Sequence, residues 1–141
     1  MNRLLVDTNV ILDLLAKREP FDAESRQLFS LADTNKVDLV ISSLSLVNTH
    51  YILNDLMKIK EARTIIRKFK VLVCTFELTD KIIELALNDI NFRDFEDGIQ
   101  YYTALESQCE SIITRNLRDF KKSAIPVFSP KEYLSKGNAE R

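Results

Sequence analysis

Glycine is almost missing from this chain: Gly98 and Gly137 are the two glycines among 141 residues. A glycine-rich phosphate loop or a dinucleotide-binding fingerprint is therefore excluded, and nucleotide cofactors are disfavoured. A single histidine, His50, rules out a histidine metal cluster within one chain, and on a mostly apolar helix it is expected as a packed side chain. Cysteine is limited to Cys74 and Cys109, both in apolar surroundings and without C-x-x-C spacing. Buried, reduced thiols are expected, not a disulfide or a zinc site, which fits a reducing cytoplasm. No apolar run reaches transmembrane length, and the N-terminus lacks the basic, apolar, small-residue order of a signal peptide. A soluble, unprocessed, cytoplasmic chain is expected. Neither sign of charge dominates: 20 Lys and Arg against 21 Asp and Glu leave a net charge of -1, so a nucleic-acid partner must be held by a local patch. Only carboxylate chemistry remains in abundance. The length suits one domain, enough to bury roughly 68% of the surface that the unfolded chain exposes.

The stretch that organises the rest is Leu4-Leu5-Val6-Asp7-Thr8-Asn9-Val10-Ile11-Leu12. Leu4 to Val6 form an unalternating apolar run, as a parallel strand covered on both faces requires. Thr8 or Asn9 can cap a helix from about Val10 to Ala16. Asp7 then stands at the carboxyl end of the strand, where ligands bind in open parallel sheets. It serves either as a helix cap or as a ligand-facing carboxylate, and the stretch alone weighs equally for both.

Further along, Asp22 is placed to cap a second helix with Leu28, Leu31 and Ala32 on one face, and Val37 to Ile41 read as a second strand. Ser42 or Ser43 caps a third helix carrying Leu44, Val47, Asn48, Tyr51, Ile52 and Asp55. Asn48 reaches the crevice of Asp7 if the first two strands are neighbours; a solvated or locally bonded Asn is the plainer reading. A fourth helix, about Lys60 to Phe69, has Ala62, Ile65, Ile66 and Phe69 at core spacing and Lys60, Arg63, Arg67 and Lys70 along another stripe. That stripe is either a solvated face or a contact for a phosphate backbone.

Val71 to Val73 are expected as the third strand, Thr79 caps a fifth helix with Ile82, Ile83 and Ala86 inward, and Asp94 opens a sixth through Tyr101, Tyr102, Leu105 and Cys109. Asp94, Glu96 and Asp97 crowd the start of that helix, more acids than capping needs. Ser111 to Ile113 give a fourth strand, followed by Thr114-Arg115-Asn116-Leu117-Arg118-Asp119-Phe120, a polar, acid-bearing turn like the opening one. Pro126 to Phe128 form a short last strand. Ser129-Pro130-Lys131-Glu132 is a capping box for a closing helix turn through Leu134, and the polar tail from Ser135 to Arg141 is expected to be disordered.

Alternating strands and helices imply an α/β protein, a parallel sheet with helices on both faces and every polar turn after a strand on one edge. If strands one and four are neighbours, Asp7 and Asp119 face each other there, and Asp97 joins from the helix leading into strand four. Two carboxylates about 4 Å apart repel by roughly 4 kcal/mol at an effective dielectric near 20, several times what a helix dipole returns. Such a cluster needs a cation or a proton. All-oxygen ligation favours Mg2+ or Mn2+, ions that activate water and offset charge on phosphoryl oxygens. Thr114 and Asn116 are placed to orient a carboxylate or the attacking water.

These residues together resemble the PIN domain: Asp7-Thr8-Asn9 after the first strand, Ser42-Ser43 opening the third helix, Asp94-Phe95-Glu96-Asp97, and Thr114-Arg115-Asn116 with Asp119-Phe120. The likeness covers residues 1–134 as a single domain. It implies a three-layer α/β/α fold around a five-stranded parallel sheet in the order 3-2-1-4-5, and metal-dependent ribonuclease activity. Small single-domain members are often VapC-type toxins of bacterial toxin–antitoxin pairs, cutting RNA, usually as homodimers. By position, Asp7, Asp97 and Asp119 match the family's acidic ligands, with Asp94 and Glu96 as further candidates and Thr114 and Asn116 as supporting polar groups. Asn48 stands where the family usually has a glutamate. The amide can still ligate or hydrogen-bond, but it lowers the site's charge by one. That suggests a one-metal site, a site completed by substrate phosphate, or a member that binds RNA without cutting.

The resemblance thus implies Mg2+ or Mn2+ as cofactor, and RNA, an antitoxin protein and a second copy of the chain as partners, with no membrane. Lys60, Arg63, Arg67, Lys70 and Arg115 are the candidates for RNA contact. The alternative is an RNA-binding module whose acidic pocket is residual. An aspartyl phosphotransferase built on Asp7-x-Asn9 fits poorly, because that pattern goes with a cap domain for which the chain has no room. A receiver domain fails because the third strand ends in Cys74-Thr75, without an acid to accept phosphate.

Overall fold

The computed structural model describes residues 1–139, with side chains as far as Lys136. In chain order it forms β1 (Asn2–Val6), α1 (Thr8–Leu15), α2 (Asp22–Asp33), β2 (Val37–Ser42), α3 (Ser43–Tyr51), a π-helical turn (Ile52–Leu56), α4 (Ala62–Lys70) and β3 (Cys74–Phe76). Then follow α5 (Asp80–Asn88), α6 (Phe95–Glu106), β4 (Ser111–Ile113), a 3-10 turn (Leu117–Phe120), β5 (Val127–Phe128) and α7 (Pro130–Ala139). All strand pairings are parallel, and the sheet order is β3-β2-β1-β4-β5, as the resemblance implies. No helix among the described residues is long and apolar enough to cross a membrane.

The apolar run of β1 does not alternate because both of its faces are covered. Leu4 and Val6 pack with Leu39 and Ile41 of β2 against Val10 and Ile11 of α1, Leu28 and Phe29 of α2, and Phe69 of α4. Leu5, Val40 and Ile112 point the other way, against Phe92 and against Tyr101 and Ala104 of α6. Successive strand side chains face opposite sides, so a central strand needs an apolar residue at every position. Burying each such side chain contributes about 1.5–3 kcal/mol. Helix α5 joins the second layer through Ile82 and Ala86 against Ile99. Gly98 permits the close approach: a Cβ there would lie 3.3 Å from that of Ala86.

Tertiary context overrides several local expectations. The third strand is Cys74–Phe76, not Val71 to Val73. Val71 and the residues after it close the C-terminus of α4, where Leu72 N donates to Phe69 O, and the edge strand itself is only half-buried, so hydrophobicity does not mark it. Cys74 is consequently exposed, against the expectation of two buried thiols; Cys109 is buried as expected. On α3 the buried positions are Ser45 and Thr49, while Val47 and Tyr51 are exposed, because the hydroxyl of Ser45 bonds to polar groups of α1 and α6. Asp22 lies inside α2 and makes an i,i+4 ion pair with Arg26; Phe21 stands at the cap without a side-chain bond. The capping box before α7 forms reciprocally between Ser129 and Glu132. That helix runs beyond Leu134 to Ala139, longer than the closing turn expected from the capping box. A capped helix anchored in the core through Tyr133 propagates cheaply once nucleated. Residues 140 and 141 lie outside the described residues.

Candidate active site

Strands β1 and β4 end side by side, with Val6 opposite Ile113. The residues that follow, Asp7 and Thr114, therefore meet just beyond the carboxyl edge of the sheet. Asp7 N donates to Ile113 O at 2.9 Å, and Thr114 Oγ1 donates to Asp7 Oδ2 at 2.8 Å. Asp7 Oδ1 accepts from Thr8 N at 2.8 Å and so caps α1, in place of Thr8 or Asn9. The capping reading is correct for that one oxygen, and it leaves the carboxylate lining a cleft. Asn9 laces the two turns together: its Nδ2 donates to Thr114 Oγ1 at 3.3 Å, and its Oδ1 accepts from Arg115 N at 3.3 Å. Asn116 N completes the link by donating to Thr114 Oγ1 at 3.0 Å.

The cleft has a volume of about 560 Å3, and its lining includes Asp7, Asn48, Glu96, Asp97, Gln100 and Asn116. Asp94 caps α6 by accepting from Glu96 N at 2.8 Å, which sets Asp97 in the first turn, facing the end of β1. Asn48 Nδ2 donates to Glu96 Oε1 at 3.2 Å. Burial pushes the Asp7 carboxyl above its ordinary value; the bonds from Thr114 and Thr8 oppose this, and Asp119 and Asp94 add to it. The Asp97 carboxyl is pushed up to about 7, by burial first and then by the charges of Asp7, Asp94, Asp119 and Glu96. Asp97 also lines an adjoining cleft of about 480 Å3 with Asp94 and Asp119, beside Arg93, Arg118 and Lys121. The structure thus puts Asp7 and Asp97 in one cleft and Asp119, exposed on the 3-10 turn, with Asp97 in the adjoining one, its charge acting on both carboxyls. Among the described residues no three His, Cys, Asp or Glu side chains converge as a ready metal cluster.

The basic stripe lies elsewhere. Arg63, Arg67 and Lys70 line a separate groove of about 490 Å3 with Leu46, Val47 and His50. Lys60 is exposed and lines neither cleft, whereas Arg115 lines the acidic one.

Sequence reasoning missed three residues. Asp13 is fully buried (0% exposed) yet ionically paired twice, to Arg115 Nε at 2.5 Å and to Arg18 Nε at 3.0 Å. Both arginines line the cleft of Asp7. Gln100, 5% exposed, donates from Nε2 to Ser45 Oγ at 2.7 Å and Thr8 Oγ1 at 3.3 Å. The signal for Asp13 was an acid three residues after Val10 in a helix whose other buried residues are apolar.

A family model described as PIN domain matches residues 3–118. The chain belongs to the PIN domain family. Ribonuclease VapC1 of Aquifex aeolicus (strain VF5) is 29% identical to this PIN domain over 139 residues, covering 96% of each chain. Among solved structures, FitAcB from Neisseria gonorrhoeae is similar with a TM-score of 0.69 and 15% identity, over 91% of this chain and 98% of that one. A toxin–antitoxin complex from Klebsiella pneumoniae is similar with a TM-score of 0.67 and 25% identity, over 90% and 97% of the two chains.

Proposed function

We propose that this PIN domain is a divalent-metal-dependent endoribonuclease, the toxin of a toxin–antitoxin pair. The observation that carries the reading is the pairing of buried Asp7 with half-buried Asp97 in one cleft at the carboxyl edge of the sheet, both with raised pKa values. A bound cation would relieve carboxylates in that state, and every candidate ligand there is an oxygen, the donor set that suits Mg2+ or Mn2+. Asp7 and Asp97 would hold the ion, with Asp119, Asp94 and Glu96 as further acids around Asp97. When bound, the ion supplies charge compensation for the phosphoryl oxygens and a water of lowered pKa. Thr114 holds Asp7 Oδ2 in place, and Asn9 and Asn116 fix Thr114 in turn. Without an ion, burial and the neighbouring acids hold the Asp97 carboxyl up at about 7, and a bound ion would favour its ionised form. Hydrolysis joins a water oxygen to phosphorus and breaks one phosphodiester P–O bond, and the proton from water passes to the leaving oxygen.

The relative named as a ribonuclease, matched over nearly its whole length, supports RNA as the substrate. The Klebsiella toxin–antitoxin complex supports an antitoxin protein as partner. A homodimer and a cytoplasmic location belong to the same proposal. A second reading, RNA binding without cleavage, is favoured by Asn48, bonded to Glu96 where the family resemblance leads one to expect an acid.

Inducible expression in a bacterial host, with mapping of new RNA 5′ ends for wild type and Asp7→Asn, separates the two. Discrete cuts made by wild type alone are expected. Equal cutting by a folded Asp7→Asn variant removes Asp7 from the machinery, and no cuts by a folded wild type favours the binding module.

A further inference from the structure

We propose that Arg18 and Arg115, held together by the buried Asp13, form a phosphate-binding subsite on the wall of the acidic cleft, gripping an RNA phosphodiester beside the one that is cut. The subsite rests on the ribonuclease reading and adds the contact that holds a polyanion against a cluster of acids. Arg115 reaches Asp13 through Nε and Nη2, and its guanidinium lies 3.9 Å over the Phe21 ring. Arg18 reaches Asp13 through Nε and the Asn9 carbonyl through Nη2, at 3.1 Å. Among the described residues, neither Nη1 group has a hydrogen-bond partner.

One arginine suffices to neutralise one buried carboxylate. The second leaves a net positive charge on the rim of the cleft that holds Asp7 and Asp97. Two guanidinium groups fixed at one carboxylate, with donors to spare, match the geometry of a phosphate. Their orientation is set in advance, by Asp13 from behind and, for Arg115, by Phe21 from the side, so little freedom remains to be lost on binding. Asp13 touches no substrate in this arrangement and is a positioning residue.

The test uses the full chain and a mixed-sequence single-stranded RNA. Binding is followed by fluorescence anisotropy across a salt series in chelator, and cleavage of cellular RNA is followed separately with Mg2+. Arg18→Ala and Arg115→Ala are each expected to weaken binding about tenfold or more. The double variant should flatten the slope of log affinity against log salt by about 0.7, the release expected from one single-strand phosphate contact. Arg18→Lys with Arg115→Lys keeps Asp13 paired and so preserves the fold; it should retain the salt slope and lose affinity, because an ammonium lacks the fork. A folded double alanine variant with unchanged slope and affinity overturns the subsite and leaves the arginines a structural pair. So does a double lysine variant that binds as wild type does, should the alanine variant fail to fold. Wild type that binds in an arginine-dependent way without ever cutting sinks the nuclease reading and leaves the subsite standing. Cleavage by wild type with an arginine-independent salt slope does the reverse.

Discussion

Replacing Asp97 by Asn is expected to stabilise the metal-free protein while disabling it. Burial, then Asp7, Asp94, Asp119 and Glu96, push its carboxyl from 3.8 to about 7. Such a difference corresponds to about 4 kcal/mol between the two protonation states, and the partial exposure of Asp97 screens the stability term to about 1–2 kcal/mol. The sign follows from proton binding. Between pH 3.8 and about 7 the folded carboxyl keeps its proton while the unfolded one is ionised, so folding loses stability as pH rises through that window. The penalty is complete above the window and absent below it. Asn is uncharged throughout. Urea unfolding in chelator should therefore show the variant more stable by about 1–2 kcal/mol at about pH 8, with the advantage shrinking to nothing below about pH 4. Added Mg2+ should reverse the order by stabilising wild type alone. A variant less stable than wild type at the higher pH, or an advantage that does not change with pH, refutes the electrostatic account.

Thr114→Val keeps the shape of a fully buried side chain but removes the donor to Asp7 and the acceptor for Asn116 N. It is expected to cost about 1.5–3 kcal/mol in urea unfolding and to raise the Asp7 pKa further in a carboxyl NMR titration; unchanged values in both oppose the assigned bond. Asn48→Glu places a second carboxylate where the amide now bonds to Glu96. Lower stability in chelator and tighter Mg2+ binding by calorimetry are expected, and an unaltered Mg2+ affinity counts against Asn48 as part of the site. Removing Arg63 and Arg67 together should flatten the salt dependence of RNA binding by about 1.4 without moving the cleavage positions, because their groove is separate from the acidic cleft. A slope that stays the same makes that stripe a solvated face.

The positions of chemical interest were legible in the chain wherever a local pattern carried them. The run Leu4-Leu5-Val6 ending in Asp7 is readable because a strand covered on both faces has no polar alternation, so the first acid after it marks the sheet edge. The start of α6 is readable because Asp94 is a cap and one cap leaves Glu96 and Asp97 in excess. The closing capping box is local by definition. Where the chain misled, burial was the missing variable: Val71 to Val73 looked more like a strand than Cys74–Phe76, yet the edge of a sheet needs few apolar residues.

Only the tertiary structure decided which turns meet. The adjacency of β1 and β4 brings Asp7 against Thr114, across 107 positions, by a register that no short-range pattern encodes. It also joins Asp13 to an arginine 102 positions away. Residue type and spacing fix which side chains carry charge and which end of each element they occupy. Whether those charges share one cleft depends on strand order and helix packing, which are properties of the whole core.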